Sequence, residues 1–374
     1  MREGEQTPGV VFSVEDKIRI AAQLVKTGIR HFEAGFAAVS SEEQGAIRAV
    51  VEKGFDANVF SLARLKEEDV AAALAAGVRH VVIFVPSSDA MIQARLSCSA
   101  QELESRIPHV VEWAKSRGLF VRFSCEDGTR TPWERLLKFS TVAREAGADC
   151  IGLTDTAGVG VPEKVARLTS GLKEEVKLPV AVHFHNDLGL AVANSLAAAQ
   201  AGAEEIQVTV NGLGDRVGNT AMDEFVLAMR VGYGVDMGVD LIEMARLSAM
   251  VSDISGLDIP FNKPILGRNV FRHESGIHVQ ALLRKDIRTY EAFPPEWVGR
   301  EHEVAFGKHA GKSNVRFLCR EAGVVLDAEA ETQIANRIKA LSQERRQEIS
   351  RAEVMQMIQE ALKRDKPSAP MVAE

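Results

Sequence analysis

Short apolar runs alternating with segments of helical period fill the first two-thirds of this chain, and that alternation leaves few folds open. The runs fall at residues 31–35, 57–62, 80–85, 119–124, 150–153, 180–185 and 205–210. Between them lie Ala-, Leu- and Glu-rich stretches at 68–76, 101–116, 133–146, 162–174 and 188–201. Three of these end in Ala-Gly, at Ala76-Gly77, Ala146-Gly147 and Ala201-Gly202, where Gly suits a left-handed helix end. Strands joined by helical crossovers pair in parallel. Seven such strands are one short of a closed eight-stranded barrel. Polar residues recur at the strand C-terminal ends: Glu33, Arg64, Ser124 to Asp127, Thr154 to Thr156, His183, His185 and Asn211. Barrel enzymes place their chemistry on that face. The expected fold is α/β, a TIM barrel lacking most of strand 1, with a doubly wound open sheet as the alternative.

A further helix is expected before the first run. Ser13 with Asp16 reads as its cap, Ile18, Ile20, Ala21, Leu24 and Val25 as its buried face, and Gly28 as its end. After about residue 235 the alternation stops. Residues 241–255 look helical, 258–264 form a linker-like stretch with Pro260 and Pro264, and a His-rich segment follows at 272–278. The expected division is a barrel over 1–257, a linker and first C-terminal subdomain over 258–300, and a helical subdomain over 301–365 with helices at 328–344 and 351–362. Residues 366–374 are expected to be disordered.

The strongest chemical signal is Val182-His183-Phe184-His185-Asn186-Asp187 at the end of an apolar strand. A strand has a side-chain period of two, so His183 and His185 share one face while Val182 and Phe184 take the other. A lone strand histidine is more often a hydrogen-bonded core residue. Two imidazoles on one side of a strand end are placed to grip a divalent metal.

Composition narrows the partners. A net charge of −7 argues against general nucleic-acid binding. Cys98, Cys125, Cys150 and Cys319 lie far apart without metal spacing, which reads as a reduced, cytoplasmic protein without disulfides. No apolar run reaches the length of a membrane span, and Met1 to Gln6 has no apolar core of a secretion signal.

Seven segments together resemble the 2-isopropylmalate synthase and homocitrate synthase family. They are Arg2-Glu3-Gly4-Glu5-Gln6-Thr7-Pro8-Gly9, Phe32-Glu33-Ala34-Gly35-Phe36, Phe123-Ser124-Cys125-Glu126-Asp127, Asp155-Thr156-Ala157-Gly158, His183-Phe184-His185-Asn186-Asp187, Asn211-Gly212-Leu213-Gly214-Asp215-Arg216-Val217-Gly218-Asn219 and His273-Glu274-Ser275-Gly276-Ile277-His278. They cover nearly the whole chain in the family's order. Thr209 to Gly214, Tyr290-Glu291 and Gly307-Lys308-His309-Ala310-Gly311 look closest to homocitrate synthases of the nitrogenase-cofactor and methanogen type. Two departures stand out. Met1 takes the place of the Leu that ends the family's first strand, consistent with a late start codon, and Glu3 replaces the commoner Asp.

The resemblance implies a metal-dependent barrel enzyme that condenses acetyl-CoA with a 2-oxo acid, 2-oxoglutarate first among them. It implies a divalent ion, Mn²⁺, Mg²⁺ or Zn²⁺, on Glu3, His183, His185 and Asn219. Arg2 would stabilise the developing alkoxide, and Gln6, Arg64, Ser124 and Thr156 would contact the 2-oxo acid. Glu126, His278 and Tyr290 would take the methyl proton, the last two from the partner subunit of a homodimer. For single residues the plainer readings stay open: Asn219 as turn chemistry, Ser124 and Thr156 as strand-end hydroxyls, His278 as a structural histidine, Arg2 as a solvated terminal residue. Lys66 faces either a distal carboxylate or solvent. The Gly212-Gly214-Gly218 loop has the wrong spacing for a dinucleotide fingerprint. It reads better as a turn carrying Asn219, with contact to a CoA phosphate left open. The region after residue 300 is too short for the leucine-sensing domain of many isopropylmalate synthases. Isopropylmalate or citramalate synthesis, a metal-dependent carbon–carbon lyase, and an inactive truncated homologue are the competing readings.

Overall fold

The structure, a computed structural model, describes residues 1–96, 98–284 and 290–364. The expected disorder of 366–374 lies outside them. The chain divides into two compact units, Met1–Ile259 and Pro260 onward.

The first unit is built on seven parallel strands: β1 (His31–Gly35), β2 (Asn58–Arg64), β3 (His80–Pro86), β4 (Phe120–Glu126), β5 (Cys150–Asp155), β6 (Val180–Phe184) and β7 (Glu205–Gln207). Their order in the sheet is their order in the chain. A doubly wound sheet reverses strand order partway, so this sequential order excludes that alternative. Helices α1 (Val14–Lys26), α2 (Ser41–Glu52), α3 (Glu67–Ala75), α4 (Asp89–Arg95), α5 (Ala100–Ser116), α6 (Trp133–Glu145), α7 (Pro162–Val176), α8 (Ala191–Gln200), α9 (Met222–Leu227) and α10 (Leu241–Ser255) alternate with or follow the strands. Fully buried Val81, Ile83, Val121, Phe123, Ile151 and Leu153 form one apolar cluster with helical residues such as Ile107, Leu136 and Leu172. This is a TIM barrel missing part of its wall.

The sheet curls without closing: β1 and β7 are its ends, and no hydrogen-bonded ladder joins them among the described residues. Arg122, on the middle strand β4 and 1% exposed, spans the opening. Its Nη1 lies 3.3 Å from Glu33 Oε1 on β1, its Nη2 pairs with Glu205 on β7, and its guanidinium sits over the Phe60 ring at 4.5 Å. One side chain can reach both end strands only if the sheet is curved. A cavity of about 350 Å³ lies between the ends, lined by Phe32 and Glu33 on one side and Glu205, Ile206 and Gln207 on the other.

Two expectations need correction. The last strand was expected over 205–210, but β7 ends at Gln207, because Thr209 bridges Ala221 and Val210–Gly212 turns as a 3-10 helix. The α1 face differs too. Ile18 and Val25 are only partly covered, whereas Lys17 is fully buried, its Nζ held by Glu5 at 2.8 Å and Glu43 at 2.6 Å. Other predicted elements hold within a few residues. The α1 cap is a complete capping box of Ser13 and Asp16. Gly77, Gly147 and Gly202 all adopt positive φ. All four cysteines are free. No helix of the described residues is long and apolar enough to cross a membrane.

The second unit joins residues on both sides of 300. Strand β8 (Arg272–His273) pairs with β9 (Glu303–Val304), and α11 (Gly276–Leu283), α12 (Lys312–Glu321), α13 (Ala328–Arg345) and α14 (Arg351–Arg364) complete it. Phe306, Val315, Leu318, Ile338, Ile349, Val354 and Ile358 form its core.

Candidate metal centre and substrate cavity

Residues 1–7 carry three candidate residues, Arg2, Glu3 and Gln6, and are held mainly by charge. The Arg2 backbone N–H donates to Glu33 O at 3.1 Å, continuing the outer edge of β1. Arg2 Nε donates to Glu33 Oε2 at 2.7 Å, and Arg2 also pairs with Glu3. Lys17 anchors Glu5, and Thr7 Oγ1 donates to Gly214 O at 3.1 Å. The Arg2 side chain is 12% exposed, so it is not a solvated terminal residue. Burial disfavours a charged Glu33, yet Arg2 and Arg122 outweigh it and hold that carboxyl at about 2. Burial likewise opposes ionisation of Glu3, and Arg2, His183 and His185 bring it below the usual carboxylate range.

His183 lies on β6 and His185 one residue beyond its end, kept extended by an antiparallel bridge to Asn219. Their rings therefore emerge on one side, 5.1 Å apart at 64°. His183 Nδ1 meets Gln207 Oε1 at 2.8 Å; with the proton on Nδ1, Nε2 faces the site as a lone pair. Burial, reinforced by His183, pushes the His185 imidazolium down to about 4, which favours the neutral, ligating form.

Asn219 arrives through the glycine loop. Its backbone N–H donates to Gly212 O at 3.0 Å, while Asn186 donates to Gly218 O at 2.9 Å. Gly218 has φ +87°, and a Cβ there would meet Gly212 O at 1.8 Å. A Cβ at Gly214 would lie 2.0 Å from Asn219 Oδ1. Arg216 clasps the loop to the strand ends, donating to Asp187 Oδ1 and Oδ2 at 2.8 Å each and to Thr156 O at 2.7 Å.

The residues fit a divalent cation. Ligand atoms of Glu3, His183 and His185 lie within 4.8 Å of one another. Each imidazole Nε2 is 3.7 Å from a Glu3 oxygen, too far for a hydrogen bond. Two ligands each about 2.1 Å from a common ion would be about that far apart. Glu3 Oε1, His185 Nδ1 and Asn219 Oδ1 are buried without a hydrogen-bond partner. Such orphaned atoms are costly unless something answers them. The Asn219 amide presents Nδ2 to His183 Nε2 at 3.0 Å, and half a turn about its terminal bond exchanges nitrogen for Oδ1.

Beside this cluster is a cavity of about 240 Å³. Arg2, Glu3, Gln6, Ser124, Glu126, Thr156, His183 and His185 all line it, so the structure brings eight of the predicted site residues together. Phe36, Leu62, Val82 and Phe84 give it an apolar wall. Burial raises the Glu126 carboxyl above its ordinary value, although Arg95 opposes this with Nη1 2.5 and 2.6 Å from the two oxygens. Thr156 Oγ1 accepts from Asp127 N at 2.9 Å and keeps its own proton to donate. Asn219 meets His183 Nε2 and is not part of the cavity wall. Arg64 is not in the wall either; its Nε donates to Asp69 Oδ2 at 2.6 Å and its Nη2 to Oδ1 at 2.8 Å. Lys66 is exposed at the start of α3. Sequence reasoning gave no site role to Gln207 or Arg95, named Arg216 and Glu33 only within segments that carry the resemblance, and otherwise read Glu33 as a polar strand end.

In the second unit, His278 on α11 stacks on Tyr290, ring centroids 3.9 Å apart at 28°. Those two residues form a pair of their own there.

Residues 1–251 match the HMGL-like family, and residues 265–346 match the homocitrate synthase post-HMGL domain-like family. A homocitrate synthase AksA of Methanopyrus kandleri is 42% identical over 373 residues, covering 99% of this chain and 94% of its own. A protein of the same organism named as an (R)-citramalate synthase, CimA, is 42% identical over 366 residues, 97% of this chain and 72% of its own. Among solved structures, hydroxymethylglutaryl-CoA lyase from Pseudomonas aeruginosa aligns with a TM-score of 0.62 at 24% identity, over 76% of this chain and 95% of its own. That last likeness bears on the fold alone.

Proposed function

The chain belongs to the HMGL-like family and carries the homocitrate synthase type of post-barrel region, and from that premise we propose that it joins the acetyl group of acetyl-CoA to a 2-oxo acid and releases CoA. The preferred acceptor is 2-oxoglutarate, giving homocitrate. The observation that carries this is the shared cavity: the Glu3, His183 and His185 cluster, with the Asn219 amide against His183, lies beside Arg2, Glu126, Ser124 and Thr156.

Glu3, His183, His185 and Asn219 would hold Zn²⁺, Mn²⁺ or Mg²⁺, a donor set of carboxylate, imidazoles and amide oxygen that suits all three. When bound, such an ion polarises the ketone of the 2-oxo acid as a Lewis acid. Ser124, Thr156 and Gln6 orient the acceptor by hydrogen bonds to its carboxylate. Arg2 aims a guanidinium, braced by Glu33, at the oxygen that becomes an alkoxide. The acetyl methyl is a weak acid and needs a positioned base. Glu126, whose burial makes it a better proton acceptor than an ordinary carboxylate, serves with His278 and Tyr290. The carbon nucleophile adds to the ketone, Arg2 meets the negative charge, and water then cleaves the thioester. His278 and Tyr290 act across a homodimer on the partner's barrel.

The test is thiol release from acetyl-CoA against 2-oxoglutarate, 2-oxoisovalerate, pyruvate and oxaloacetate, with and without chelator. The largest rate is expected with 2-oxoglutarate, abolished by chelator. Pyruvate ahead of the rest would make it a citramalate synthase, the reading favoured by the equally similar CimA relative. Release with none of the four, together with cleavage of hydroxymethylglutaryl-CoA to acetoacetate, would overturn the condensation.

A further inference from the structure

Tyr290 sits in a turn, 45% exposed, with no helix or strand of its own. A tyrosine so placed has no reason to keep its ring 3.9 Å from His278 unless the neighbouring backbone is fixed. The next residue, Glu291, is fixed. Its side chain is 3% exposed and its carboxylate lies between two imidazoles. His273 Nε2 is 2.9 Å from Oε1, while His302 Nε2 is 2.8 Å from Oε1 and 2.9 Å from Oε2. His273 belongs to β8, and only Glu274 and Ser275 separate it from α11, which carries His278. His302 immediately precedes β9, the parallel partner of β8. One buried carboxylate therefore ties the Tyr290 turn to both strands of the small sheet that launches the His278 helix. Phe271, itself 1% exposed, packs edge-on against both Phe293 and His302 beside this junction.

We propose that Glu291, bridging His273 and His302, is the positioning residue that holds Tyr290 against His278 in the geometry proton removal requires. This rests on the reading of His278 and Tyr290 as the base pair. Glu291 itself touches neither substrate nor ring; it acts through the peptide that joins it to Tyr290. A carboxylate accepts from two N–H donors at once, and a Gln at the same place offers one accepting oxygen and an NH₂ that faces the other donor. Glu291→Gln thus keeps the volume and breaks half of the clamp.

The test is a double-mutant cycle on the full chain with metal supplied. Glu291→Gln is expected to lower kcat about tenfold or more, leave KM for the 2-oxo acid within about twofold, and slow exchange of the acetyl-CoA methyl protons in heavy water by the same factor. In a Tyr290→Phe background the same change is expected to cost less than about twofold, because the group it positions is gone. Full additivity in that background would overturn the proposal, as would unchanged exchange in the single variant. If Tyr290→Phe alone leaves kcat intact, the base-pair reading fails instead, so the two failures are distinct. Metal per chain is expected to be equal in wild type and Glu291→Gln; loss of bound metal would show that the His-Glu-His cluster is a metal site. Should Glu291→Gln not fold, His302→Gln, at the more exposed arm, carries the same expectations.

Discussion

The barrel cluster and the His278–Tyr290 pair are two ways of holding chemical groups still. In the barrel, His183 and His185 come from one strand end, Asn219 is tied to that end by a backbone bridge, and Glu3 is held by its ion pair with Arg2. In the second unit, one ring rides on a helix and the other on a turn, joined by a stack. The first arrangement is preorganised by a sheet; the second depends on a single carboxylate next door. Metal ligands need fixed geometry to share one ion. A proton-transfer pair tolerates a looser frame, provided it can be brought to its substrate.

The largest expected effects separate the two regions. His183→Ala should lose bound metal and lower thiol release on the order of a thousandfold or more. His278→Ala should lose turnover to a similar extent with metal content intact. Equal metal in wild type and His183→Ala would break the comparison at its stronger end. Mixing the two inactive variants, unfolded and refolded together, should restore about a quarter of wild-type activity: half the dimers are then hybrid, each with one intact site. No recovery would place both groups in one subunit.

A middle-sized effect probes the charge frame beneath the barrel site. Glu33→Gln removes the anchor of Arg2 and one partner of the buried Arg122. Turnover should fall about 10–100-fold with metal retained. The folded carboxyl titrates near 2, below its ordinary unfolded value, so its stabilisation is present above the ordinary carboxylate range. It is lost as pH falls from about 4.5 through 2, worth about 3 kcal/mol by linkage. Unfolding followed by denaturant should show wild type losing more stability than Glu33→Gln across that window. Parallel curves would mean that Arg2 and Arg122 do not hold Glu33 as described.

What could be read in the sequence follows the range of the interactions. His183 and His185 were legible because a period of two is local. The strand order was legible because each unit pairs with its neighbour. Arg122 was not, since its partners Glu33 and Glu205 lie 89 and 83 residues away and a central arginine in an apolar strand carries no local sign of them. Gln207 fell inside a run that reads as a longer strand, and only the Thr209–Ala221 bridge shows where that strand stops. Asn219 came by resemblance alone. Its place depends on a loop folding back on itself, with Gly218 and Gly214 leaving room that no other residue would.

The smallest expected effect concerns a residue that lies at the boundary of the barrel site. Arg64 follows Ala63 at the end of β2, and the resemblance makes it a contact of the 2-oxo acid. The structure instead turns its guanidinium to Asp69 through two hydrogen bonds, with the side chain 46% exposed and Phe36 between it and the cavity. A half-exposed ion pair contributes no more than about 1 kcal/mol. Arg64→Ala should therefore shift Tm by only a few degrees and raise KM for the 2-oxo acid less than about threefold. Asp69→Asn should lower Tm more than Arg64→Ala does, since the Asp69 side chain is 3% exposed and also accepts from the Arg64 backbone N–H. A tenfold rise in KM in Arg64→Ala alone would mean that the guanidinium leaves Asp69 when substrate arrives. The barrel site would then include a moving part, and the contrast between a rigid barrel cluster and an adjustable pair would lose its basis.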